Sequence, residues 1–209
     1  MLTNELKTYW FQLHQAWTSD KDFIEQSFIQ LLTAYAQKKR YYHNISHIQS
    51  MFSSLNQCSH EVDDAEIIAF SIFFHDIVYD VKKSDNEEKS AEKAELHLLK
   101  IGYPNSRITA VRDFIIATKT HINSIGSKDL NYFLDMDLQI LGADEATYRA
   151  YTQQIRKEYS IYPDFLYKPG RKKVLHHFLE KPFIYHTPVG RAAFEEKARK
   201  NISTEITTL

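Results

Sequence analysis

Apolar residues that return every three or four positions constrain this chain more than any other feature. Leu6, Trp10, Leu13 and Trp17 recur at spacings of four, three and four, and Phe23, Phe28, Leu31, Leu32 and Tyr35 continue the rhythm. A 3.6-residue period puts such residues on one side of a helix, so this stretch reads as two amphipathic helices. A third follows Tyr42, His43 and Asn44 and carries Ile48, Met51, Phe52 and Leu55. A fourth runs from Asp64 through an apolar run to Phe74 and belongs at the centre of a core. Asp85 is placed to N-cap a helix through Leu99 with Glu87 and Glu88 in its first turn, and Gly102 with Pro104 reads as a stop and restart. The next helix ends near Thr118. Asp129 to Leu141 reads as a buried helix closed by Gly142. Asp144 to Tyr159 reads as an amphipathic helix burying Tyr148, Tyr151 and Ile155. Lys172 to Leu179 reads as another, before a polar tail.

Five Gly and five Pro among 209 residues are too few for the many tight turns of a sandwich or barrel. No Pro, Ser or Gly interval is long enough for a linker, and no repeat is visible, so one all-α domain over residues 1–209 is expected. With 43% hydrophobic and 25% charged residues, the chain can bury one sizeable core. The 26 Lys and Arg nearly balance 27 Asp and Glu, which gives no bulk basic character for nucleic acid or an anionic membrane and points to a small partner. Cys58 is alone, which excludes an intramolecular disulfide and any multi-thiolate zinc or iron-sulfur site. Met1 to Lys7 is polar where a signal peptide needs apolar residues, and Ile67 to Phe74 is far shorter than the ~20 residues of a membrane span. A cytoplasmic protein without a membrane anchor is the expectation.

Ten histidines are the unusual component, and their positions matter more than their number. His43 and His47 are four apart, a spacing that on a helix lets two imidazoles approach one site. Asn44 follows the first of them, so the general base of the zinc-protease pattern is missing and that class is rejected. His75 and Asp76 are adjacent at the end of the most apolar helix. Together they supply nitrogen and oxygen ligands suited to Mn, Fe, Co, Ni or Zn, whereas a helix C-terminus welcomes His but not Asp, so capping explains only half the pair. Asp135 and Asp137 stand in an otherwise apolar stretch where an isolated carboxylate needs compensation by a cation or a salt bridge.

The order His47, His75-Asp76, Asp137 on a helical chain resembles the HD superfamily of metal-dependent phosphohydrolases. The blocks RYYHNISHI, FFHDIVYD, DNEEKSAE, IIATKTH, FLDMDLQILGA and GRKKVLHHFL are similar to one predicted-hydrolase subfamily within it, over roughly residues 40–180. The resemblance implies an HD-type helical bundle with His47, His75, Asp76 and Asp137 as ligands of one or two divalent ions (Mn, Fe, Co, Ni, Zn or Mg). It also implies His43 as the proton donor to a leaving oxygen. Imidazole chemistry suits that role, and orienting a ligand through a hydrogen bond is the structural alternative.

Glu87 and Glu88 could position the attacking water, or merely favour a helix dipole. His121 is a candidate contact for a phosphate or second metal, or a surface histidine. Arg40 beside the first histidine block, and Arg171 among Lys168, Lys172 and Lys173 in a basic turn around Gly170, are candidate phosphate donors, because a guanidinium grips phosphate in a fork. No dinucleotide fingerprint, P-loop or nucleophile elbow is present. The resulting expectation is a hydrolase of small phosphoesters such as nucleotides, working with a metal-activated water. The competing readings are a non-catalytic nucleotide sensor with the same fold and, ranked lower, a di-iron oxygenase. Residues two apart on a helix point about 200° from each other, so only one of the two neighbouring acids can face the ion; the resemblance implies Asp137, which is followed by the apolar Leu138, Ile140 and Leu141, and leaves Asp135 to support it or to pair with a cation.

Overall fold

The computed structural model describes residues 3–209, and the fold is all-α, with no strand among the described residues. In chain order the helices are α1 (Thr3–Gln15), α2 (Lys21–Tyr35), α3 (Ile45–Cys58), α4 (Ala65–Phe74), α5 (Asn86–Lys100), α6 (Asn105–Ala117) and α7 (Lys128–Leu138). A 3-10 turn, Gln139–Gly142, follows α7 and leads to α8 (Glu145–Glu158), α9 (Asp164–Glu180) and α10 (Pro188–Gly190). A π turn, Arg191–Glu195, then joins α10 to α11 (Glu196–Thr208). No described helix is long and apolar enough to cross a membrane. The chain forms two compact units, one ending at Phe133 and the other spanning Leu134–Leu209. The division falls inside α7, so no linker sequence marks it.

In the first unit α4 is buried along its length from Ile68 to Phe74, and α3, α5 and α6 pack on it. Its apolar run lacks amphipathic alternation because every side faces protein. Phe73 takes the edge of Trp10 at 4.9 Å and lies 4.6 Å from Phe52, and burial of each such ring stabilises the fold by about 2–3 kcal/mol. The start of α4 is fixed by Asp64, whose side chain accepts the Glu66 and Ile67 N–H groups at 3.1 and 3.2 Å. The buried Asp129 carboxylate of α7 accepts the Asp63 and Asp64 N–H groups at 2.8 and 2.7 Å. Asp85 occupies the N-cap position of α5 but makes no cap bond; its Oδ2 pairs with Lys89, one turn later, at 2.8 Å. Asn86 anchors the entry instead, accepting from Asp80 N at 3.1 Å and donating to Asp80 O at 3.0 Å.

In the second unit two elements differ from the sequence expectation. Helix α9 begins at Asp164 and runs through Pro169 and Gly170, so the basic cluster lies within a helix rather than on a turn. Pro169 is the sixth residue of that helix, past the first turn, so it forfeits the bond to the carbonyl four residues back at a cost of about 3 kcal/mol, which the inward anchors Tyr167, Leu175 and Phe178 offset. The C-terminal residues form α11 instead of a polar tail. Ala198, Ile202 and Glu205 make its buried face, and Asn201 donates to the carbonyls of Leu141 and Ala143, both at 2.9 Å.

Candidate metal centre

The first ligand-bearing segment is the start of α3. Asn44 caps this helix, accepting the Ser46 N–H at 2.8 Å, and so leaves His43 outside the helix, in the preceding loop. His47, the third residue of α3, is buried. The second segment is the end of α4, where His75 donates its backbone N–H to Ser71 O at 2.9 Å and its ring lies 2% exposed. Ring atom Nδ1 stands 3.0 Å from the Ile72 carbonyl. A carbonyl only accepts, so Nδ1 carries a proton and Nε2 is the ring atom turned to the cluster. That Nε2 lies 3.2 Å from His47 Nε2 and 3.2 Å from Asp76 Oδ2.

Helix α7 supplies the third segment. The Phe133 ring meets the His75 ring edge-on at 6.0 Å, and Asp137 follows one turn later on the same helix face. His47, His75 and Asp137 each offer one ligand atom, and these atoms all lie within 4.8 Å of one another. Asp76 is not among these three mutually close atoms, although it touches His75. Neighbouring ligands on an octahedral ion with bonds near 2.1 Å are about 3.0 Å apart, so the 3.2 Å histidine pair has the spacing of two ligands on one cation. The donor set also fits. Two imidazoles and carboxylates with no thiolate suit a borderline or hard divalent ion, and lone pairs turned towards one another require a cation or protons among them. These residues could therefore hold a divalent metal.

Asp135 has a different task. Its Oδ1 accepts from His186 N at 2.6 Å, and its Oδ2 accepts from Thr187 N at 2.9 Å and Thr187 Oγ1 at 2.7 Å. Burial raises its pKa, and the Thr187 and His186 donors oppose that rise.

Neither arginine is available as a fork for phosphate. The Arg171 side chain is 9% exposed and grips Glu205 through Nε at 2.8 Å and Nη2 at 3.1 Å, while Tyr148 donates to the same carboxylate. Arg40 is buried, and its Nη1 and Nη2 donate to backbone carbonyls. Lys119 pairs with the exposed Glu88 and holds its carboxyl below the ordinary range. Glu87 is half-buried; burial is the first cause of its raised pKa, its own backbone N–H and the Lys119 charge oppose that rise, and the Glu88 and Asp76 charges add to it. Ser90, on the same helix, accepts Val78 N–H at 3.1 Å and so holds α5 beside the segment that follows His75 and Asp76. His121 has φ 49° and donates its N–H to Ala117 O at 2.8 Å, which makes it the left-handed residue closing α6.

Tyr79 escapes the sequence reading. Its ring stacks on His43 at 4.3 Å and 28°, yet it lies outside any helix, where no periodicity reveals which way a ring turns. Comparison of the chain with protein-family models, with curated proteins and with solved structures finds no match.

Proposed function

We propose that this chain is a metal-dependent phosphohydrolase of HD type, acting on a small phosphoester such as a nucleotide in the cytoplasm. The observation that carries the reading is the convergence of His47, His75 and Asp137 ligand atoms within 4.8 Å, with Asp76 against His75. Those four side chains would hold the ion, His75 being oriented by its Nδ1–H bond to Ile72 O. A bound divalent cation would polarise a phosphoryl oxygen and make an adjacent water acidic enough to attack at neutral pH. As the water oxygen bonds to phosphorus and the ester oxygen departs, His43 gives that oxygen a proton and Asp76 accepts one from the water. Glu87, half-buried within reach of the Asp76 charge, would orient the incoming water, whereas Glu88 is engaged by Lys119. Arg40 and Arg171 are given no substrate contact, so recognition of the phosphoryl group falls to the metal site and His43.

The test is turnover of generic phosphomonoesters, phosphodiesters and nucleotides with Mn, Co, Ni, Mg and Zn, with the His75→Ala, Asp76→Ala double variant as blank. Metal-dependent hydrolysis lost in the double variant is expected. Equal turnover by wild type and double variant would overturn the reading. Nucleotide-induced thermal stabilisation without hydrolysis under any metal would replace it by a sensor.

A further inference from the structure

Arg40 is a buried cation, 8% exposed, that meets no carboxylate among the described residues. Its fork is directed at main chain. Nη1 donates to Asp76 O at 2.6 Å and His43 O at 3.3 Å, and Nη2 donates to Ile77 O at 3.1 Å. One guanidinium therefore ties the loop before α3 to the turn after α4. Its carbon lies 5.2 Å from the Tyr35 ring centre and 5.4 Å from that of Tyr79. Tyr79 in turn stacks on the His43 imidazole at 4.3 Å, and Tyr42 packs edge-on to His43 at 5.0 Å. The residue before Arg40, Lys39, holds φ 83°, a left-handed conformation that a side-chain-bearing residue adopts only where its surroundings enforce it.

Such an arrangement does more than fill space. A lysine would bring a single ammonium to a place where three carbonyls on two segments await donors, and it has no flat face to lie against two tyrosine rings. Cation–π attraction and carbonyl dipoles compensate the charge without a counter-ion, while Nε is left without a partner. The stack leaves His43 one determined ring plane beside His47, whose ring centre is 6.2 Å away. We propose that Arg40 and Tyr79 are positioning residues for His43, with Arg40 clamping the two ligand-bearing segments together and Tyr79 setting the plane of the imidazole. This rests on the hydrolase reading for its catalytic consequence, but the stack itself does not.

The experiment uses full-length protein and the variants Tyr79→Leu, Tyr79→Phe, Arg40→Ala and Arg40→Lys. In metal-free protein, NMR of the His43 ring protons, assigned with His43→Gln, should show upfield ring-current shifts in wild type and Tyr79→Phe that collapse in Tyr79→Leu. With metal, Tyr79→Leu should lose about 10²-fold in kcat for esters with poor leaving groups, the order of loss that a small misplacement causes, and far less for good ones. Its metal content should stay at the wild-type level, and Tyr79→Phe should recover most of the loss. Arg40→Ala should regain activity with millimolar guanidinium but not with methylammonium, and Arg40→Lys should behave as Arg40→Ala does. His43 signals unmoved by Tyr79→Leu would overturn the proposal whatever the activity. If no variant or wild type hydrolyses any ester while the ring-current shifts behave as stated, the stack stands and the hydrolase reading falls. Equal losses with good and poor leaving groups would remove His43 as the group being positioned.

Discussion

Exchanging the carboxylates of Asp135 and Asp137 for amides, one at a time, separates two roles that lie two residues apart. Asp135 receives three donors, and in Asp135→Asn the amide oxygen can serve only one side of them. Keeping it on Thr187 leaves the amide NH2 facing His186 N, a donor against a donor 2.6 Å from the former oxygen. One buried bond lost in this way costs about 1–3 kcal/mol, and Asp135→Ala, which abandons all three donors, costs about 3–9 kcal/mol. Metal binding should survive in Asp135→Asn. Asp137→Asn keeps the shape at the cluster but removes the charge that would hold a cation, so metal affinity should fall by more than the ~10–100-fold that outer partners of ligands carry. Denaturant unfolding of the metal-free variants and elemental analysis of the loaded ones read both quantities. Metal stripped by Asp135→Asn but fully retained, with full turnover, in Asp137→Asn would refute the assignment.

A buried histidine pair in the first unit makes stability depend on acid: His14 Nε2 and His97 Nε2 are 2.6 Å apart, and burial lowers His14 to about 4 and His97 to about 3. Folded values below the unfolded value of 6.5 mean that their contribution is present above 6.5 and lost as pH falls through about 4 and then 3; a urea midpoint that stays flat over this window, or falls equally in His14→Leu, His97→Leu, would contradict this. His121→Gly should stabilise the fold by about 1 kcal/mol, read as a raised melting temperature, because φ 49° suits glycine; unchanged stability with lost turnover would assign His121 to the site instead. Gly142→Ala should cost about 1–3 kcal/mol, since a Cβ there would stand 2.5 Å from Phe194 Cβ and 2.8 Å from its backbone oxygen; an unaltered unfolding midpoint would show that the turn yields freely.

The helical architecture is legible because periodicity and caps are local. Ile48, Met51, Phe52 and Leu55 are buried on α3 as their spacing requires, and Asp64 and Asp144 cap α4 and α8. Local signals fail where distant contacts decide. Pro169 and Gly170 look like a turn, yet α9 continues through them because Tyr167, Leu175 and Phe178 point inward and Arg171 reaches Glu205 from afar in sequence. The polar C-terminal stretch is helical for the same reason, its Glu205 being buried by Arg171 and Tyr148. At the candidate site, adjacency makes His75 and Asp76 conspicuous, and the order of the blocks singles out His47 and Asp137. What a basic side chain does is not written in its neighbours. Arg40 stands beside the histidine block but faces carbonyls, a fact fixed by the Lys39 backbone and the turn after α4.

Whether His47, His75 and Asp137 hold one cation is decided most directly by titrating metal-free protein with Co(II) and following its visible absorption. Wild type should show a saturable band with the intensity of nitrogen and oxygen coordination, and His47→Ala, His75→Ala and Asp137→Asn should each weaken or abolish it. Wild type without a saturable band, or the three variants titrating as wild type does, would contradict the assignment of this cluster as a metal centre.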